Sequence, residues 1–404
     1  MLFAQNSSIR VGVDLDQGGS ITFLAPSDHA ERNVVNSFDR GRQVQLSFYS
    51  GPVPFQPPGA VLSPAWQGLG WNPIQTGDAF GNRSKVLEAR SDGHSIYVKC
   101  IPMQWPLKNV PGECIFEVWL TLDGDAVRAR CRLTNDRSDL TQYPARAQEL
   151  PAVYVNAPYH HLITYTGDRP FHDDSCTEIH NRLDKENRWA TWLATENWAA
   201  QLDDQNWGLG VWNPSTARIS GGFFSEPGEG GPSDPPTGYI APNRTEILDH
   251  DIAYEFSYTL ILGSLDQIRG YVYKHASHRL PSWRFQSSRE GWSYENSADS
   301  GWPIRGGLSL SARTSPAILV SPEFAIASTS LLQVTVDADT PVTLTWRSGE
   351  TQFKTATAVP TGGRRQLFEI DPGDGLVTQL KLTVSLGPKP ANIHSVLISR
   401  QRTG

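Results

Sequence analysis

The sequence predicts an all-β protein built in two parts. Short alternating or apolar runs recur along the whole chain, clusters of Gly, Pro, Asn and Asp separate them, and a single segment has a clear helical pattern. The composition agrees, since 35 Gly, 29 Pro, 13 Trp and 12 Tyr occur in 404 residues. Aromatic side chains suit pleated surfaces, and Gly and Pro suit turns.

The first third of the chain is a succession of predicted strands. Residues 8–13 and 20–24 flank Gln17-Gly18-Gly19 as a hairpin, and another strand follows at 44–49. The segment at about 50–82 has too many aromatic residues for a flexible linker, so we predict an ordered surface loop. Strands then alternate regularly from 85 to 134, with a tight turn at Asp123-Gly124.

The middle of the chain continues with strands and then the one predicted helix. Residues 198–203 and 207–212 form a hairpin pattern, 252–262 is the clearest strand, and 264–278 is helical with Ser264 as its N-cap. We predict a boundary at Leu280-Pro281, which divides the chain into a candidate catalytic part, 6–279, and a part at 280–404 with the short strands of a β-sandwich.

Charge and hydropathy exclude two classes of partner. The net charge is −7 and no long basic run occurs, so we expect no nucleic acid partner. No stretch approaches the ~20 apolar residues of a membrane span. We interpret Met1–Gln5 as the remnant of a removed signal peptide, which predicts a secreted or periplasmic protein.

Cysteine and motif content predict no cofactor and no metal. Cys100, Cys114 and Cys131 fall on successive strands, where a buried small apolar role is the commoner one. The sequence has no CxxC or His/Cys cluster, no P-loop, no dinucleotide fingerprint and no nucleophile elbow. The sequence gives no indication of oligomeric state.

The first cluster of candidate site residues lies between residues 33 and 45. Amide, carboxylate and guanidinium groups at the end of a strand match paired sugar hydroxyls. The alternative is a capped turn that an Arg–Asp pair holds shut. The candidates for substrate contact are Asn36, Arg40, Arg42 and Gln45, with Asp39 as a candidate catalytic carboxylate.

The second cluster surrounds two adjacent histidines, His160 and His161. A His in a loop between strands is a natural general acid or base, and the alternative is a His that satisfies local backbone. Neighbouring residues on a strand point to opposite faces, so we expect at most one of the pair to face a cleft and no metal chelation by both. The other candidates here are Tyr159, Tyr165 and the upstream Glu149.

The third cluster is rich in tryptophan. Sugar rings stack on aromatic rings, so Trp198, and Trp66 and Trp71 in the earlier loop, are candidates for substrate contact, with core packing as the alternative. Glycosidic hydrolysis uses carboxylate pairs ~5–9 Å apart. Aromatic neighbours favour Glu196 as an acid of raised pKa, and Glu113 at a strand start is a further candidate.

Residues 8–279 resemble the galactose-mutarotase-like supersandwich. The resemblance rests on Gly18-Gly19-Ser20-Ile21, on Asn36 with Asp39-Arg40-Gly41-Arg42, and on Asn156 with Tyr159-His160-His161. It implies a large antiparallel two-sheet fold, a catalytic His at position 160 or 161, and a catalytic Glu at 246 or 255.

Residues 282–404 resemble the jelly-roll carbohydrate-binding modules of secreted glycan-degrading enzymes. The resemblance rests on Glu290-Gly291-Trp292 and on the segment 301–308. It implies a sugar-binding loop surface, and the alternative is that these aromatic residues seal one end of a core.

Four functions remain open on this sequence, one of them a mutarotase that acts on a free monosaccharide. The first is a glycoside hydrolase that cleaves a poly- or oligosaccharide with a carboxylate pair. The second is a polysaccharide lyase, in which Arg40 or Arg42 neutralises a uronate carboxylate and another residue abstracts the proton. The third is a non-catalytic glycan-binding protein. The candidate bases of the lyase are His160, His161, Tyr165 and Tyr239.

Overall fold

Strands make up 49% of the structure and helices 5%. The computed structural model describes residues 1–183, 189–312, 316–361, 363–373, 375–385 and 390–401. Short 3-10 helices lie at Leu15–Gln17, Ala30–Arg32 and Gln67–Leu69. The prediction of an all-β chain is therefore confirmed.

The strands before the helix form two sheets. They are β1 (Leu2–Gln5), β2 (Ile9–Asp14), β3 (Ser20–Pro26), β4 (Val44–Ser47), β5 (Pro73–Ile74), β6 (Lys85–Ser91), β7 (Ser95–Ile101), β8 (Met103–Gln104), β9 (Cys114–Asp123), β10 (Ala126–Asn135), β11 (Arg146–Asn156), β12 (His161–Thr164), β13 (Thr177–Glu178), β14 (Arg182–Leu183), β15 (Ala190–Leu193), β16 (Trp198–Leu202), β17 (Trp207–Trp212), β18 (Arg218–Phe224), β19 (Thr237–Glu246) and β20 (Ala253–Ser264).

Each sheet is almost wholly antiparallel. Over the described residues, an 11-stranded sheet has the path β1-β2-β3-β4-β11-β19-β18-β14, with β15 beside β18, β5 beside β4 and β8 beside β5. A nine-stranded sheet has the order β13-β12-β16-β17-β20-β10-β9-β7-β6. Only β14 and β18 pair in parallel in this part of the described chain. The large antiparallel two-sheet fold that the resemblance implies is confirmed.

The main core lies between these two sheets. Strand β9 alternates, and its Phe116, Val118 and Leu120 are buried against Val153 and Val155 of β11. The period of two along each strand directs one set of side chains to the partner sheet. The three strand cysteines, Cys100, Cys114 and Cys131, belong to the same core and form no disulfide.

The predicted helix is present as α1 (Leu265–His275). The Ser264 side chain accepts a hydrogen bond from the backbone N–H of Gln267, and the Gln267 side chain accepts one from the backbone N–H of Ser264, which is a capping box. Ile268 and Val272 are buried against the nine-stranded sheet beside Trp198 and Ile261. The helix thus covers the outer face of that sheet.

The later strands form separate sheets with their own core. They are β21 (Ser282–Trp283), β22 (Ser293–Glu295), β23 (Ser297–Asp299), β24 (Leu308–Ala312), β25 (Ala317–Val320), β26 (Ile326–Ala327), β27 (Leu332–Ala338), β28 (Val342–Arg347), β29 (Lys354–Thr355), β30 (Thr357–Val359), β31 (Arg365–Ile370), β32 (Leu376–Val377), β33 (Gln379–Val384) and β34 (Ala391–Arg400).

These strands make sheets of seven, five and two strands within the described residues. Trp292 is fully buried and packs edge-on against Trp283 and Phe285. Glu290 accepts hydrogen bonds from the backbone of Arg284 and Phe285. Trp292 therefore belongs to the core, and Glu290 stabilises a turn. The division of the chain at 279/280 and a sugar-binding role for the later part stay predictions.

A buried ion cluster joins the two groups of sheets. Arg289 lies 2.6 Å from Asp249, which precedes β20, and 2.5 Å from Asp299 on β23. Gln142 also donates to Asp299 at 2.7 Å. All three ionic side chains are almost completely buried, so this cluster fixes the contact between the earlier and later sheets.

The N-terminal residues take part in the fold. Leu2–Gln5 form β1, which pairs with β2 at the edge of the 11-stranded sheet. The interpretation of these residues as a signal-peptide remnant, and the predicted export, stay predictions. Among the described helices, none is both long and apolar enough to span a lipid bilayer.

Candidate functional site

A polar and aromatic patch lies on β11 and β19, on the face that points away from the main core. Val153 and Val155 point into the core, whereas Tyr154 packs with Tyr239 on the other side. The register of β11 shifts between Glu149 and Val153. Such a bulge resets the alternation of side chains, so Glu149 faces the same side as Tyr154 despite their odd spacing.

The carboxyl of Glu149 is held by two tyrosines. Tyr49 donates to Oε2 at 2.9 Å, and Tyr239 donates to Oε1. Ser47 donates in turn to the Tyr49 hydroxyl at 2.9 Å. Burial raises the pKa of Glu149, and the hydrogen bonds from Tyr239 and Tyr49 partly offset that rise. A partly buried carboxyl of raised pKa is suited to proton transfer.

Three aromatic rings lie beside this carboxyl. The ring centroids of Tyr154 and Tyr239 are 4.8 Å apart, and those of Trp189 and Tyr239 are also 4.8 Å apart. Gly222 of β18 leaves room for the Trp189 ring, because a Cβ at this position would lie 3.1 Å from that ring. Its φ of +155° is also one that other residues rarely adopt. We call Glu149, Tyr49, Tyr154, Tyr239 and Trp189 the Glu149 patch.

The predicted residues Asp39 and Arg42 border the Glu149 patch. The Arg42 Nε lies 3.3 Å from Asp39 Oδ2, and the Arg42 guanidinium lies over the rings of Phe38 and Phe224. Burial raises the pKa of Tyr154, and the charges of Glu149 and Asp39 raise it further. Two carboxylates from distant parts of the sequence, Glu149 and Asp39, therefore both raise the pKa of Tyr154.

An exposed aromatic pair lies on the same side of the molecule as Asp39. Trp66, predicted to contact substrate, is 42% exposed and meets Trp105 edge-on with centroids 5.8 Å apart. Trp105 packs so closely against Gly41 that a Cβ there would be 3.1 Å from its ring. Trp66 and Trp105 thus extend the aromatic surface near the Asp39–Arg42 pair.

The rest of the first cluster holds loops together. Asn36 is buried, donates to the Asp234 carbonyl at 3.0 Å and accepts from the Phe38 backbone at 3.1 Å. The Arg40 guanidinium donates to the carbonyls of Gly81 and Asp16 at 3.2 and 3.1 Å.

Gln45 completes this arrangement. It is buried and donates to the Arg42 carbonyl at 3.0 Å. The alternative of a capped turn is therefore observed, with Arg42 and Asp39 as the pair that holds it shut. Asn36, Arg40 and Gln45 bind loop backbone in the same region, and their predicted contact with substrate is not supported.

Glu196 does not face a cleft. Its side chain has no exposed surface and accepts hydrogen bonds from the Phe171 backbone, Trp198 Nε1, Arg269 and the Tyr273 hydroxyl, at 2.7–3.3 Å. A carboxylate that is enclosed and saturated in this way anchors α1 to the sheet. We correct the prediction that made it a general acid.

Four aromatic candidates are also structural. Trp71 and Trp198 are buried in the cores, where Trp198 donates to Glu196. Tyr159 packs against Trp207 in the main core, and Tyr165 is buried with its hydroxyl 3.1 Å from the Arg169 carbonyl. Their predicted contact with sugar is corrected to core packing, since the buried rings have almost no surface to offer.

The remaining carboxylate candidates lie away from the Glu149 patch. Glu113 is exposed before β9, and no hydrogen bond among the described residues joins it to Glu149. Glu246 is buried and bonded to Arg244 and Tyr254. Glu255 pairs with Arg132, with Arg132 Nε 2.6 Å from its Oε1. Both positions that the mutarotase resemblance offered for a catalytic Glu are therefore engaged in ion pairs.

The two histidines lie side by side. Their ring centroids are 4.3 Å apart, so the expectation that they point to opposite faces is wrong. The reason is that β12 begins at His161, and His160 belongs to the preceding turn, where strand alternation does not apply. Each reaches Asp204, His160 Nε2 at 3.4 Å and His161 Nε2 at 3.0 Å.

Sequence reasoning missed Tyr49 and Tyr154. Tyr154 follows Glu149 by five residues, a spacing that predicts opposite faces in a regular strand, and only Pro151 between them hints at the irregularity. Nothing in the sequence connects Tyr49 or Trp189 with Glu149. These contacts arise from strand pairing over long sequence separations.

Comparison with known proteins gives matches among solved structures. No protein-family profile matches the chain, and no curated protein sequence matches it. A galactose mutarotase-related enzyme from Lactobacillus acidophilus is 12% identical, with a TM-score of 0.41 over 65% of this chain and 97% of that one.

Two further structures are similar at the same low level. A galactose mutarotase-like protein from Lactobacillus casei is 11% identical, with a TM-score of 0.41 over 65% of this chain and 99% of that one. A polysaccharide lyase is 11% identical, with a TM-score of 0.38 over 99% of this chain and 48% of that one. The fold assignment rests on the sheets themselves.

Proposed function

We propose that this protein is a carbohydrate-active enzyme that cleaves glycosidic bonds in a poly- or oligosaccharide, with Glu149 as its general acid. One observation carries the proposal: a partly buried carboxyl of raised pKa lies between two tyrosine hydroxyls and beside closely packed aromatic rings. Apolar ring faces bind the CH surfaces of sugars, and a carboxyl of raised pKa is suited to donate its proton to a leaving oxygen.

The proposed reaction divides its work between two carboxyl groups. Glu149 donates its proton to the glycosidic oxygen as the bond to the anomeric carbon breaks. Asp39, which is half-exposed and paired with Arg42, supplies the second carboxylate: it stabilises positive charge at that carbon and accepts a proton from the water whose oxygen then bonds to the carbon. Tyr154 and Trp189 position the sugar ring next to the acid, and the buried Tyr239 holds the Glu149 carboxyl through its hydroxyl.

The lyase alternative is less well supported. Burial and the neighbouring Glu149 raise the pKa of Tyr239 well above its ordinary value, which opposes its use as a base. Arg40 already donates to backbone carbonyls, and Arg42 is paired with Asp39. A uronate carboxylate would have to displace these partners before an arginine could neutralise it.

The proposal is tested with a panel of neutral and uronate-containing polysaccharides. We expect release of new reducing ends, a 10²–10⁴-fold loss in Glu149→Gln, and a large loss in Asp39→Asn. Glu113→Gln is the matched control, because this exposed glutamate lies outside the Glu149 patch, and it should retain native activity. Circular dichroism establishes that each variant is folded.

Other results would contradict the proposal. Full activity in Glu149→Gln would exclude that residue as the acid. Products that absorb in the near ultraviolet, without hydrolysis, would identify a lyase. Saturable glycan binding without any turnover would identify a binding protein.

A further inference from the structure

Three metal-ligating side chains meet at one edge of the nine-stranded sheet. They come from the turn before β12 (His160), from β12 itself (His161) and from the turn between β16 and β17 (Asp204). Asp204 Oδ1 lies 3.4 Å from His160 Nε2 and 3.0 Å from His161 Nε2. A ligand atom from each residue lies within 4.8 Å of those of the other two.

The hydrogen bonds of the other ring nitrogens define which nitrogen carries the proton. His160 Nδ1 lies 3.0 Å from the Pro158 carbonyl, and His161 Nδ1 lies 2.8 Å from Glu178 Oε1. Both partners only accept hydrogen bonds, so each Nδ1 is a donor. In the neutral rings both Nε2 atoms then present lone pairs.

These lone pairs face a third acceptor, the carboxylate of Asp204. Two imidazole lone pairs and a carboxylate oxygen repel one another unless a positively charged species lies between them. A metal ion satisfies all three at once, and a proton satisfies only one nitrogen–oxygen pair at a time. A proton on His161 Nε2 joins that ring to Asp204 but leaves the lone pair of His160 Nε2 facing the same oxygen, so a metal ion is the species that engages all three ligand atoms.

The dimensions and surroundings also match a metal site. Tetrahedral ligands at about 2.0–2.1 Å from zinc are separated by about 3.3 Å, close to the 3.4 and 3.0 Å separations from Asp204. Metal-bound imidazoles usually donate their other N–H to a carboxylate or a backbone carbonyl. Glu178 and the Pro158 carbonyl are those two kinds of acceptor.

We propose that His160, His161 and Asp204 bind a divalent cation of the zinc class through Nε2, Nε2 and Oδ1, with a fourth position open to water. Imidazole with carboxylate suits zinc and its transition-metal neighbours better than magnesium or calcium. Glu178 orients His161 without touching the cation. The bound cation would tie β12, β13 and the β16–β17 hairpin together, and none of its ligands belongs to the Glu149 patch.

The test uses the full chain after treatment with a chelator, and its readout is metal binding. We expect one equivalent of Co²⁺ to bind with the visible absorption of a four-coordinate site, Zn²⁺ to displace it, and the melting temperature to rise with Zn²⁺. Asp204→Asn and His161→Ala should weaken Zn²⁺ binding at least tenfold. Glu178→Gln should weaken it by about 10–100-fold, as expected for an orienting residue.

The matched control is His180→Ala. His180 is 81% exposed and its Nδ1 lies 3.9 Å from Glu178 Oε1, outside the proposed ligand set, so this variant should bind Zn²⁺ as the native chain does. The Asp204 side chain is 82% exposed, so Asp204→Asn should fold. Its Zn²⁺ affinity can therefore be measured even if a histidine variant fails to fold. Native-like Zn²⁺ affinity in Asp204→Asn, equal losses in His180→Ala, or no stoichiometric binding to the native chain would each overturn the proposal.

Discussion

The hydroxyl of Tyr49 donates a 2.9 Å hydrogen bond to Oε2 of Glu149, across 100 residues of sequence. Tyr239 donates to the other oxygen, so the carboxyl is held from both sides within a partly buried surface. Burial favours the protonated form of Glu149, and each tyrosine donor favours the charged form. The protonation of this carboxyl therefore depends on a balance that single substitutions can shift.

Replacing Tyr49 by Phe should raise the pKa of Glu149, because the charged carboxylate loses a donor. An acid with a higher pKa stays protonated to higher pH, so the basic limb of the kcat profile should move to higher pH. Tyr97→Phe is the control, since Tyr97 forms a similar 2.7 Å bond with Glu117 elsewhere. An unchanged pH profile in Tyr49→Phe would show that Glu149 does not set that limb.

Trp66→Ala should weaken the binding of oligosaccharides while leaving the fold intact. A ring stacked on a sugar contributes on the order of 0.5–1.5 kcal/mol, so we expect KM to rise by roughly two- to twelvefold. Leu87→Ala is the control, because Leu87 is as exposed as Trp66, at 44% against 42%, and lies on β6 at the edge of the nine-stranded sheet. Equal effects of the two substitutions would mean that exposure alone, not stacking near Asp39, explains the change.

The fold could largely be predicted because its signals are local. The pattern at 198–212 predicted the β16–β17 hairpin, and Ser264 marked the start of α1 within one residue. Alternation placed Cys100, Cys114 and Cys131 on strands whose inner faces are buried. These predictions depend on period, turn residues and caps, all of which act over a few residues.

The candidate site could be predicted only in part because its contacts are not local. Glu149 and Glu196 are both carboxylates near aromatic residues in the sequence, yet a strand bulge turns the first outward and Arg269 encloses the second. Tyr239 and Glu149 are 90 residues apart, so their hydrogen bond could not be predicted from local sequence patterns. The orientation of His160 was predicted wrongly because His160 was treated as a strand residue, whereas β12 begins one residue later, at His161.

Asp299→Asn should make the stability of the protein less sensitive to acid. Burial raises the pKa of Asp299, but the hydrogen bond and charge of Arg289 outweigh it, so the net pKa is below its ordinary value. Such a group stabilises the fold above its unfolded pKa, and this contribution is lost as the pH falls through the folded pKa.

The measurement is the melting temperature between about pH 7 and pH 2.5. We expect Asp299→Asn to melt below the native chain at neutral pH and the difference to shrink as the pH falls below about 5. Asp371→Asn, at an exposed turn, should leave the native profile unchanged. A constant difference between Asp299→Asn and the native chain at every pH would contradict the assigned pKa direction.

The buried pair of Glu196 and Arg269 should matter for stability and not for chemistry. Removing one partner of a buried ion pair leaves an uncompensated charge and costs about 3–5 kcal/mol, so Arg269→Ala should lower the free energy of unfolding by that amount. Glu255→Ala breaks a pair whose carboxylate side chain is 43% exposed and should cost no more than about 1 kcal/mol.

Glu196→Gln separates this role from catalysis. The amide keeps the size of the side chain but gives up the charge that Arg269, Tyr273 and Trp198 are arranged around, so stability to denaturant should fall. Activity per folded molecule should stay close to native, because no surface of Glu196 reaches a substrate. A large loss of kcat at unchanged stability would instead return Glu196 to the active site, and would require the structure around α1 to open during the reaction.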